Sequence, residues 1–213
     1  MNVSRSAGRV SASWLIVITA FAAALGLWAG TRLFGTPPQP ELQGTLLYPA
    51  PRALPDFSLQ KSDGGTLTPA DWKGRWTVVF FGFTNCPDVC PTTMAKMKQV
   101  WNTLAAEGLA DRVRFDFISV DPERDTPEHL ARYVGFFSKD FVAATGSDEE
   151  LTRLTRSLGL VYFREPAKDG HYNVDHSASL VIIDPGGRQA GLVQPPIDAG
   201  KLGADLRTLA ATR

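Results

Sequence analysis

The chain has 213 residues, 44% of them hydrophobic, and its 22 basic and 22 acidic side chains leave a formal net charge of zero. This length is sufficient for one well-buried domain with residues to spare. Balanced charge without a basic run excludes the electrostatic signature of a nucleic-acid-binding protein, so no nucleic-acid partner is expected.

The first predicted element is an apolar helix over residues 10–31, where 22 consecutive residues carry no charge. Its length of about 33 Å is enough to cross a bilayer core of about 30 Å. Arg5 and Arg9 precede the segment, and positive charge on that side predicts that residues 1–9 stay in the cytoplasm. A cleaved signal peptide is the alternative, but its apolar stretch is usually about 7–15 residues long, so a retained transmembrane anchor is favoured.

Residues 32–53 are rich in proline and follow the predicted anchor directly. Because proline lacks a backbone N–H and restricts the backbone, a regular helix is excluded here. We therefore predict an extended, semi-rigid tether that holds a domain near the outer surface of the membrane. The domain itself is predicted to comprise residues 54–213.

Within residues 54–213, predicted strands alternate with predicted helices. Residues 76–83, WTVVFFGF, form a continuous apolar run that is typical of a strand buried on both faces. Thr126 and Ser147 are predicted helix caps, and Glu150 completes a capping box with Ser147. This alternation, closed by a hairpin and a helix, predicts an α/β fold with helices around one sheet. The other predicted elements are a short hairpin within 55–69, helices at 92–107, 126–137, 147–157 and 198–210, strands at 113–120 and 141–146, and a hairpin at 179–193.

Cys86 and Cys90, the only cysteines, lie where the predicted strand 76–83 gives way to the next helix. A helix N-terminus favours thiolate over thiol, which indicates a reactive pair. A structural disulfide is disfavoured because closing so short a loop removes little entropy from the unfolded chain. Two sulfurs that share one metal ion tolerate wider Cβ spacing than a disulfide does. We favour a metal clamp that also closes as a disulfide, and a redox role stays open.

Three histidines are candidates for a third ligand: His129, His171 and His176. His129 belongs to a polar predicted helix and His171 to a loop, so both are interpreted as surface side chains. His176 immediately precedes the apolar strand 179–183, at an edge of the sheet where functional loops gather. Taken alone, a histidine at such a position is more often a structural residue than a metal ligand.

Three segments of the chain form a specific combination: FFGFTNCPDVCPTTM, ISVDPERDTPEHL and VDHSASLVIIDPGG. Together they resemble the Sco/SenC family of membrane-anchored, thioredoxin-like copper proteins associated with cytochrome c oxidase assembly. The resemblance implies a thioredoxin-like fold with a central mixed sheet flanked by helices. It also implies one copper ion per chain, Cu(I) or Cu(II), held by Cys86, Cys90 and His176. Family positions without a predicted role are matched by Asp121, Asp125 and Asp175.

The same resemblance implies delivery of copper to subunit II of cytochrome c oxidase, with other periplasmic copper chaperones or thiol reductants as further partners. A thiol–disulfide oxidoreductase that keeps the cysteines of target metal sites reduced is the alternative. A thiol peroxidase is disfavoured because Phe83 stands three residues before Cys86, where peroxiredoxins place Thr or Ser. The expected location is a bacterial inner membrane, with one span and the C-terminal domain in the periplasm.

Overall fold

The computed structural model describes residues 12–34, 40–165 and 172–211. Residues 1–9, predicted to be cytoplasmic, and His171, predicted to lie on the surface, fall outside these ranges. The chain divides into two compact units, one that ends at Gln39 and one that begins at Pro40.

The described residues form the following helices and strands, numbered in chain order. The α-helices are α1 (Ala12–Phe34), α2 (Val89–Ala106), α3 (Pro127–Phe137), α4 (Asp148–Ser157) and α5 (Ala199–Ala211). The strands are β1 (Thr45–Arg52), β2 (Leu59–Lys61), β3 (Thr66–Leu67), β4 (Trp76–Gly82), β5 (Val113–Ser119), β6 (Val142–Thr145), β7 (Tyr162–Arg164), β8 (Val174–His176), β9 (Leu180–Ile183) and β10 (Gln189–Val193).

The first unit contains α1, which confirms the predicted apolar helix and ends three residues later than predicted. Its 23 residues correspond to about 35 Å of α-helix, so α1 is long and apolar enough to cross a membrane. Large apolar side chains along the helix, among them Trp14, Phe21 and Trp28, are exposed. A helix that is apolar around its circumference is typical of a membrane span or of a deeply buried core helix, and α1 is not buried.

The second unit is built on a mixed sheet with the strand order β1-β10-β9-β4-β5-β6-β2-β3. β4, β5 and β6 are parallel, whereas β9 pairs antiparallel with β4. Parallel neighbours need a crossover connection, which α2 and α3 provide. β7 and β8 pair with each other in a separate antiparallel ribbon. The predicted α/β architecture is confirmed, but the ribbon was not anticipated from the sequence.

β4 forms the centre of the core. Its residues from Thr77 to Gly82 are all buried, and successive strand residues point to opposite faces, so both faces of the sheet are covered. The largest fully buried side chains include Trp72, Phe80 and Phe117. The continuous apolar run in the sequence therefore predicts the central strand correctly, for the physical reason that residues 77–82 of β4 are all buried.

The prediction that residues 32–53 form a tether is wrong for Thr45–Arg52, which form the strand β1. This strand pairs antiparallel with β10 at one edge of the sheet. The register shifts in the stretch that contains Pro49 and Pro51. Because proline is compatible with edge strands and bulges, a proline content that indicates a tether is equally consistent with an irregular edge strand.

A buried carboxylate on α5 fixes the chain where it enters β1. Asp205 is 1% exposed and accepts three successive backbone N–H groups, those of residues 43–45, at 2.7, 2.9 and 2.8 Å. Gly191 in β10 allows β1 to approach, because a Cβ atom there would lie 2.2 Å from the carbonyl oxygen of Leu46. These contacts incorporate β1 into the second unit.

The predicted helix caps are confirmed at two positions, with one difference. The Thr126 hydroxyl accepts the N–H of His129, and the Ser147 hydroxyl accepts the N–H of Glu150. The Glu150 carboxylate does not return to Ser147 as a capping box requires. It accepts the backbone N–H of Ser58 at 2.9 Å instead, so a contact distant in sequence replaces the local one.

Candidate metal centre

The two cysteines lie at the carboxyl end of β4. Cys86 is half-buried in the loop between β4 and α2, and Cys90 is the buried second residue of α2. Since Cys86 precedes the helix, regular helical spacing does not apply to the pair. The backbone N–H of Cys90 donates to the Cys86 sulfur at 3.4 Å, and both cysteines are free thiols.

Gly82, the last residue of β4, makes room for the Cys90 side chain. A Cβ atom at Gly82 would lie 2.8 Å from the Cys90 sulfur and 3.1 Å from the ring of Phe117. Real Cβ atoms essentially never come within 3.0 Å of a neighbour, so the contact with the sulfur could not form without a shift. A glycine at the end of the central strand is therefore what allows this sulfur to sit against the sheet.

His176 completes the cluster from the other side. It is the last residue of β8, and its Nε2 lies 3.4 Å from the Cys90 sulfur. One ligand atom from each of Cys86, Cys90 and His176 lies within 4.8 Å of the others. The structure thus brings together the three predicted site residues, although 86 positions separate Cys90 from His176.

A backbone contact selects the tautomer of the His176 ring. Nδ1 lies 3.2 Å from the carbonyl oxygen of Ser177, and a carbonyl only accepts hydrogen bonds, so Nδ1 carries the proton. The Nε2 lone pair then points to the sulfur of Cys90 and is available to a metal ion. The partner that orients this ring is the Ser177 carbonyl and not the adjacent Asp175, which is exposed.

The surroundings of His176 are aromatic and largely closed to water. Phe80 and Phe83 contact the imidazole edge-on, with ring centroids 6.0 and 5.9 Å away. Burial lowers the pKa of His176 below its ordinary value of 6.5, against the opposing effects of the Ser177 hydrogen bond and the Asp175 charge. The ring is therefore neutral at neutral pH, which is the form that binds metals.

Burial also decides the state of Cys90. It raises the pKa of this thiol well above the ordinary value of 9.0, although a backbone hydrogen bond from Phe83 acts in the opposite direction. The expectation that a helix N-terminus favours thiolate is wrong for Cys90, because desolvation outweighs the helix dipole there. The protonated thiol donates to Nε2 of His176, and a bound metal ion would have to displace that proton.

The turn DPERD (residues 121–125) holds the cysteine loop through Asp125. Its buried carboxylate accepts the Thr84 hydroxyl at 2.6 Å, the Thr84 N–H at 2.9 Å and the Ser119 hydroxyl at 2.5 Å. Thr84 stands two residues before Cys86. Asp125 therefore positions the start of the loop that carries the half-buried Cys86.

The same turn holds the approach to His176 through Asp121 and Arg124. The Tyr172 hydroxyl donates to the buried Asp121 carboxylate at 2.6 Å. Arg124 donates to the Tyr172 carbonyl at 3.0 Å and stacks on the Tyr172 ring at 3.8 Å. Because Tyr172 lies just before β8, this turn connects both arms of the site.

Tyr133 on α3 is a neighbour of the site that the sequence did not reveal. Its hydroxyl is buried and has no hydrogen-bond partner among the described residues. Burial and the charges of Cys90 and Cys86 raise the pKa of this phenol. Tyr133 is a half-buried helix residue whose ring packs on Phe117 at 5.3 Å, so helical periodicity identifies it only as a packing residue.

The donor set has a definite chemical preference. Two thiolates and one imidazole are ligands that suit Cu(I) and also zinc. Structural zinc sites almost always have four ligands, whereas no fourth His, Cys, Asp or Glu joins this cluster among the described residues. His129 lies outside the cluster, with Nδ1 3.3 Å from the Arg124 carbonyl. The geometry therefore fits a soft ion of low coordination number.

Comparison with known proteins identifies the family to which the chain is similar. The SCO1/SenC family model matches residues 48–211. The mitochondrial SCO2 homolog of Bos taurus is 41% identical over 133 residues, which are 62% of this chain and 50% of that protein. The chain thus spans about half the length of this relative.

Two solved structures are similar over most of the chain. Bradyrhizobium japonicum ScoI, solved with copper bound, is 34% identical with a TM-score of 0.66 and matches 73% of this chain and 98% of that one. Apo Sco1 of Thermus thermophilus is 32% identical with a TM-score of 0.71 and matches 79% and 97%. With a thioredoxin-like sheet, a converging pair of cysteines and histidine, and a family match over most of its length, this chain belongs to the SCO1/SenC family.

Proposed function

We propose that the protein binds one copper ion through Cys86, Cys90 and His176 and delivers it to subunit II of cytochrome c oxidase during assembly. The observation that supports this most strongly is the convergence of these three soft donors within 4.8 Å. Copper is cargo in this proposal, so a site with three ligands and one half-exposed sulfur is suitable. A partner's ligands can approach Cys86 while Cys90 and His176 still hold the ion.

Location at the membrane belongs to the same proposal. α1 would anchor the chain in a bacterial inner membrane and residues 40–211 would lie in the periplasm. Trp14 and Trp28, toward opposite ends of α1, are residues that favour the two membrane–water interfaces. An anchored carrier encounters an oxidase subunit in the same membrane more often than a freely diffusing one does, because tethering raises the effective concentration.

The test is an anaerobic Cu(I) titration of the reduced full-length protein in a non-ionic detergent, with competition by a chelator. We expect one ion per chain in the parent. Variants C86S and H176A should lose affinity by about 100-fold or more, since loss of a partner outside the ligand sphere already costs about 10–100-fold. H129A is the matched control, because this histidine lies outside the cluster.

Two outcomes would contradict copper binding at this site. The first is an unchanged affinity in H176A. The second is a loss in H129A equal to that in H176A, which would indicate non-specific binding to imidazoles.

A second function is thiol–disulfide exchange with a partner's metal-site cysteines. The difference in exposure between Cys86 and Cys90 favours it. Cys86 is half-exposed and Cys90 is buried directly behind it, which is an arrangement of one attacking and one resolving thiol. In such a cycle two thiols lose two electrons and two protons to the partner's disulfide and close as a disulfide. Exchange activity that persists in H176A, with a reduction potential near that of the compartment, would support this role over the copper role.

A further inference from the structure

Tyr133 on α3 has a hydroxyl whose presence packing does not explain. The hydroxyl oxygen is buried and makes no hydrogen bond within residues 12–34, 40–165 and 172–211. A buried polar group without a partner is destabilising by about 1–3 kcal/mol, and the large majority of such groups in native proteins have a partner. Because a phenylalanine ring would fill the same space without that penalty, the hydroxyl points to a role outside the packing of the core.

The ring of Tyr133 lies beside the metal cluster. It packs on Phe117 of β5 and on Phe137 of α3, with ring centroids 5.3 and 5.4 Å apart. The Cys90 sulfur lies against the same Phe117, since a Cβ atom at Gly82 would be 2.8 Å from the sulfur and 3.1 Å from that ring. Tyr133 and the buried metal ligand therefore share Phe117 as a neighbour.

Electrostatic coupling also connects the phenol with the sulfurs. Burial raises the pKa of Tyr133, and negative charge on Cys90, Cys86 and Asp125 raises it further, with Cys90 acting most strongly of the three. A charge that disfavours the phenolate favours the O–H form, which donates hydrogen bonds. The hydroxyl therefore remains a donor when a thiolate forms next to it.

Among these three neighbours, the Cys90 sulfur is the one that most needs a donor. The Asp125 carboxylate already accepts three hydrogen bonds, and Cys86 is half-buried, so water reaches its sulfur. Cys90 is 0% exposed. A thiolate at that position depends on donors from the protein, and the backbone N–H of Phe83 is one of them.

We propose that Tyr133 is a positioning residue for copper binding. Its hydroxyl donates a hydrogen bond to the Cys90 sulfur once the ion has displaced the thiol proton, which leaves to solvent. Before loading, the neutral sulfur is only a weak acceptor. After loading, the sulfur carries negative charge, and hydrogen bonds to charged groups are roughly twice as strong as neutral ones. The hydroxyl thus gains its partner in the loaded state, and this inference rests on the proposed binding of copper.

The first experiment compares the stability of the metal-free parent and Y133F, both reduced, full-length and in a non-ionic detergent. Phenylalanine keeps the ring on Phe117 and removes only the oxygen. Because the hydroxyl has no partner before loading, its removal breaks no hydrogen bond. We expect the urea midpoint of Y133F to equal or exceed that of the parent. A lower midpoint would overturn the proposal, since the hydroxyl would then already be bonded, for example to Asp125.

The second experiment measures Cu(I) affinity by anaerobic competition with a chelator. We expect Y133F to bind one ion per chain with about tenfold or more lower affinity, because losing a partner of a metal ligand costs about 10–100-fold. Y48F is the matched control and should bind as the parent does. The Tyr48 hydroxyl accepts the Gln189 side chain at 3.2 Å, and its strand β1 is separated from β4 by β10 and β9.

The third experiment records the absorption spectrum of the Cu(II)-loaded protein, which a purely structural role of Tyr133 would not change. Hydrogen bonds around a metal-bound cysteine sulfur tune the electronic properties of the site. Such a bond stabilises the electrons on sulfur, so its loss lowers the energy of sulfur-to-copper charge transfer. We expect this absorption to move to longer wavelength in Y133F and to stay unchanged in Y48F.

The outcomes separate the role of Tyr133 from copper binding itself. If the parent binds one copper ion and Y133F binds it equally tightly, or with the same charge-transfer absorption, the role of Tyr133 is refuted while the proposed function stands. If the parent binds no copper, the proposed function fails and this role of Tyr133 fails with it.

Discussion

Cys86 and Cys90 differ in exposure more than their shared motif implies. Cys86 is half-buried, whereas Cys90 is fully buried and burial raises its pKa. Since only an accessible thiolate reacts with an alkylating agent, we expect iodoacetamide to modify Cys86 at least about tenfold faster than Cys90 in the reduced protein. Peptide mapping by mass spectrometry at short reaction times measures the two rates.

The control for this prediction is the denatured protein, in which both cysteines should react at similar rates. Equal rates in the folded protein would mean that Cys90 reaches solvent. The assignment of Cys86 as the attacking sulfur would then be wrong.

The lowered pKa of His176 has a consequence for stability. At high pH the ring is neutral in both the folded and the unfolded chain, so it does not make the free energy of unfolding depend on pH there. As pH falls below about 6.5, the unfolded chain takes up a proton more readily than the folded protein. The free energy of unfolding of the metal-free protein should therefore decrease as pH falls from about 6.5 toward the lower folded-state pKa.

Urea denaturation of the parent and of H176N, at several pH values from about 6.5 downward, measures the effect. The asparagine variant does not titrate, so the difference between the two proteins isolates the histidine from the carboxylates. A parent that loses no more stability than H176N would show that the ring is already protonated or solvated in the folded state.

At the level of elements, Asp205 connects α5 to the entry of β1. Its carboxylate accepts three backbone N–H groups, and D205A would leave donors without partners in a partly buried place. We expect D205A to reduce the free energy of unfolding by about 2–4 kcal/mol and to make residues 43–52 sensitive to protease. Urea denaturation and limited proteolysis measure the two effects.

The matched control is D198A, at the residue that immediately precedes the same helix. Asp198 accepts the N–H of Lys201 at 2.9 Å at an exposed position, and loss of such a cap costs about 1 kcal/mol. If D205A is no more destabilised than D198A, β1 is held by its pairing with β10 alone.

The elements that the sequence predicts well are those whose own residues determine them. β4 has an apolar side chain at almost every position because it is covered on both faces, and α3 starts at Thr126-Pro127, a cap followed by a helix-compatible proline. β1 could not be predicted, because its prolines are tolerated only through a register shift and through contacts with Asp205. Three-residue strands such as β7 and β8 are too short for a periodic pattern.

The metal cluster is likewise only partly predictable from the sequence. The spacing of Cys86 and Cys90 indicates a shared metal ion or a redox pair, but no local pattern in the sequence connects these cysteines to His176. Only the family resemblance supplies the third ligand in advance. The contacts of Asp125 with Thr84 and of Asp121 with Tyr172 join segments more than 40 residues apart, so their positioning role becomes visible only in three dimensions.

For the whole molecule, the proposed topology makes a direct prediction. If α1 is a retained anchor with a cytoplasmic N-terminus, protease added to intact spheroplasts should digest the domain that follows it, because that domain lies outside the membrane. Immunoblotting against the C-terminus measures its loss, and a cytoplasmic protein serves as the control. A domain that is digested only after lysis would reverse the orientation, and release of the domain into the soluble periplasmic fraction would indicate a cleaved signal peptide.

Pro49 and Pro51 in β1 also affect whether copies of the protein can associate through the edges of the main sheet. At one margin of the main sheet these prolines withhold N–H groups from any further chain, and at the other margin β3 has only two residues. Both edges are therefore poor templates for a further strand, which disfavours polymerisation through the main sheet.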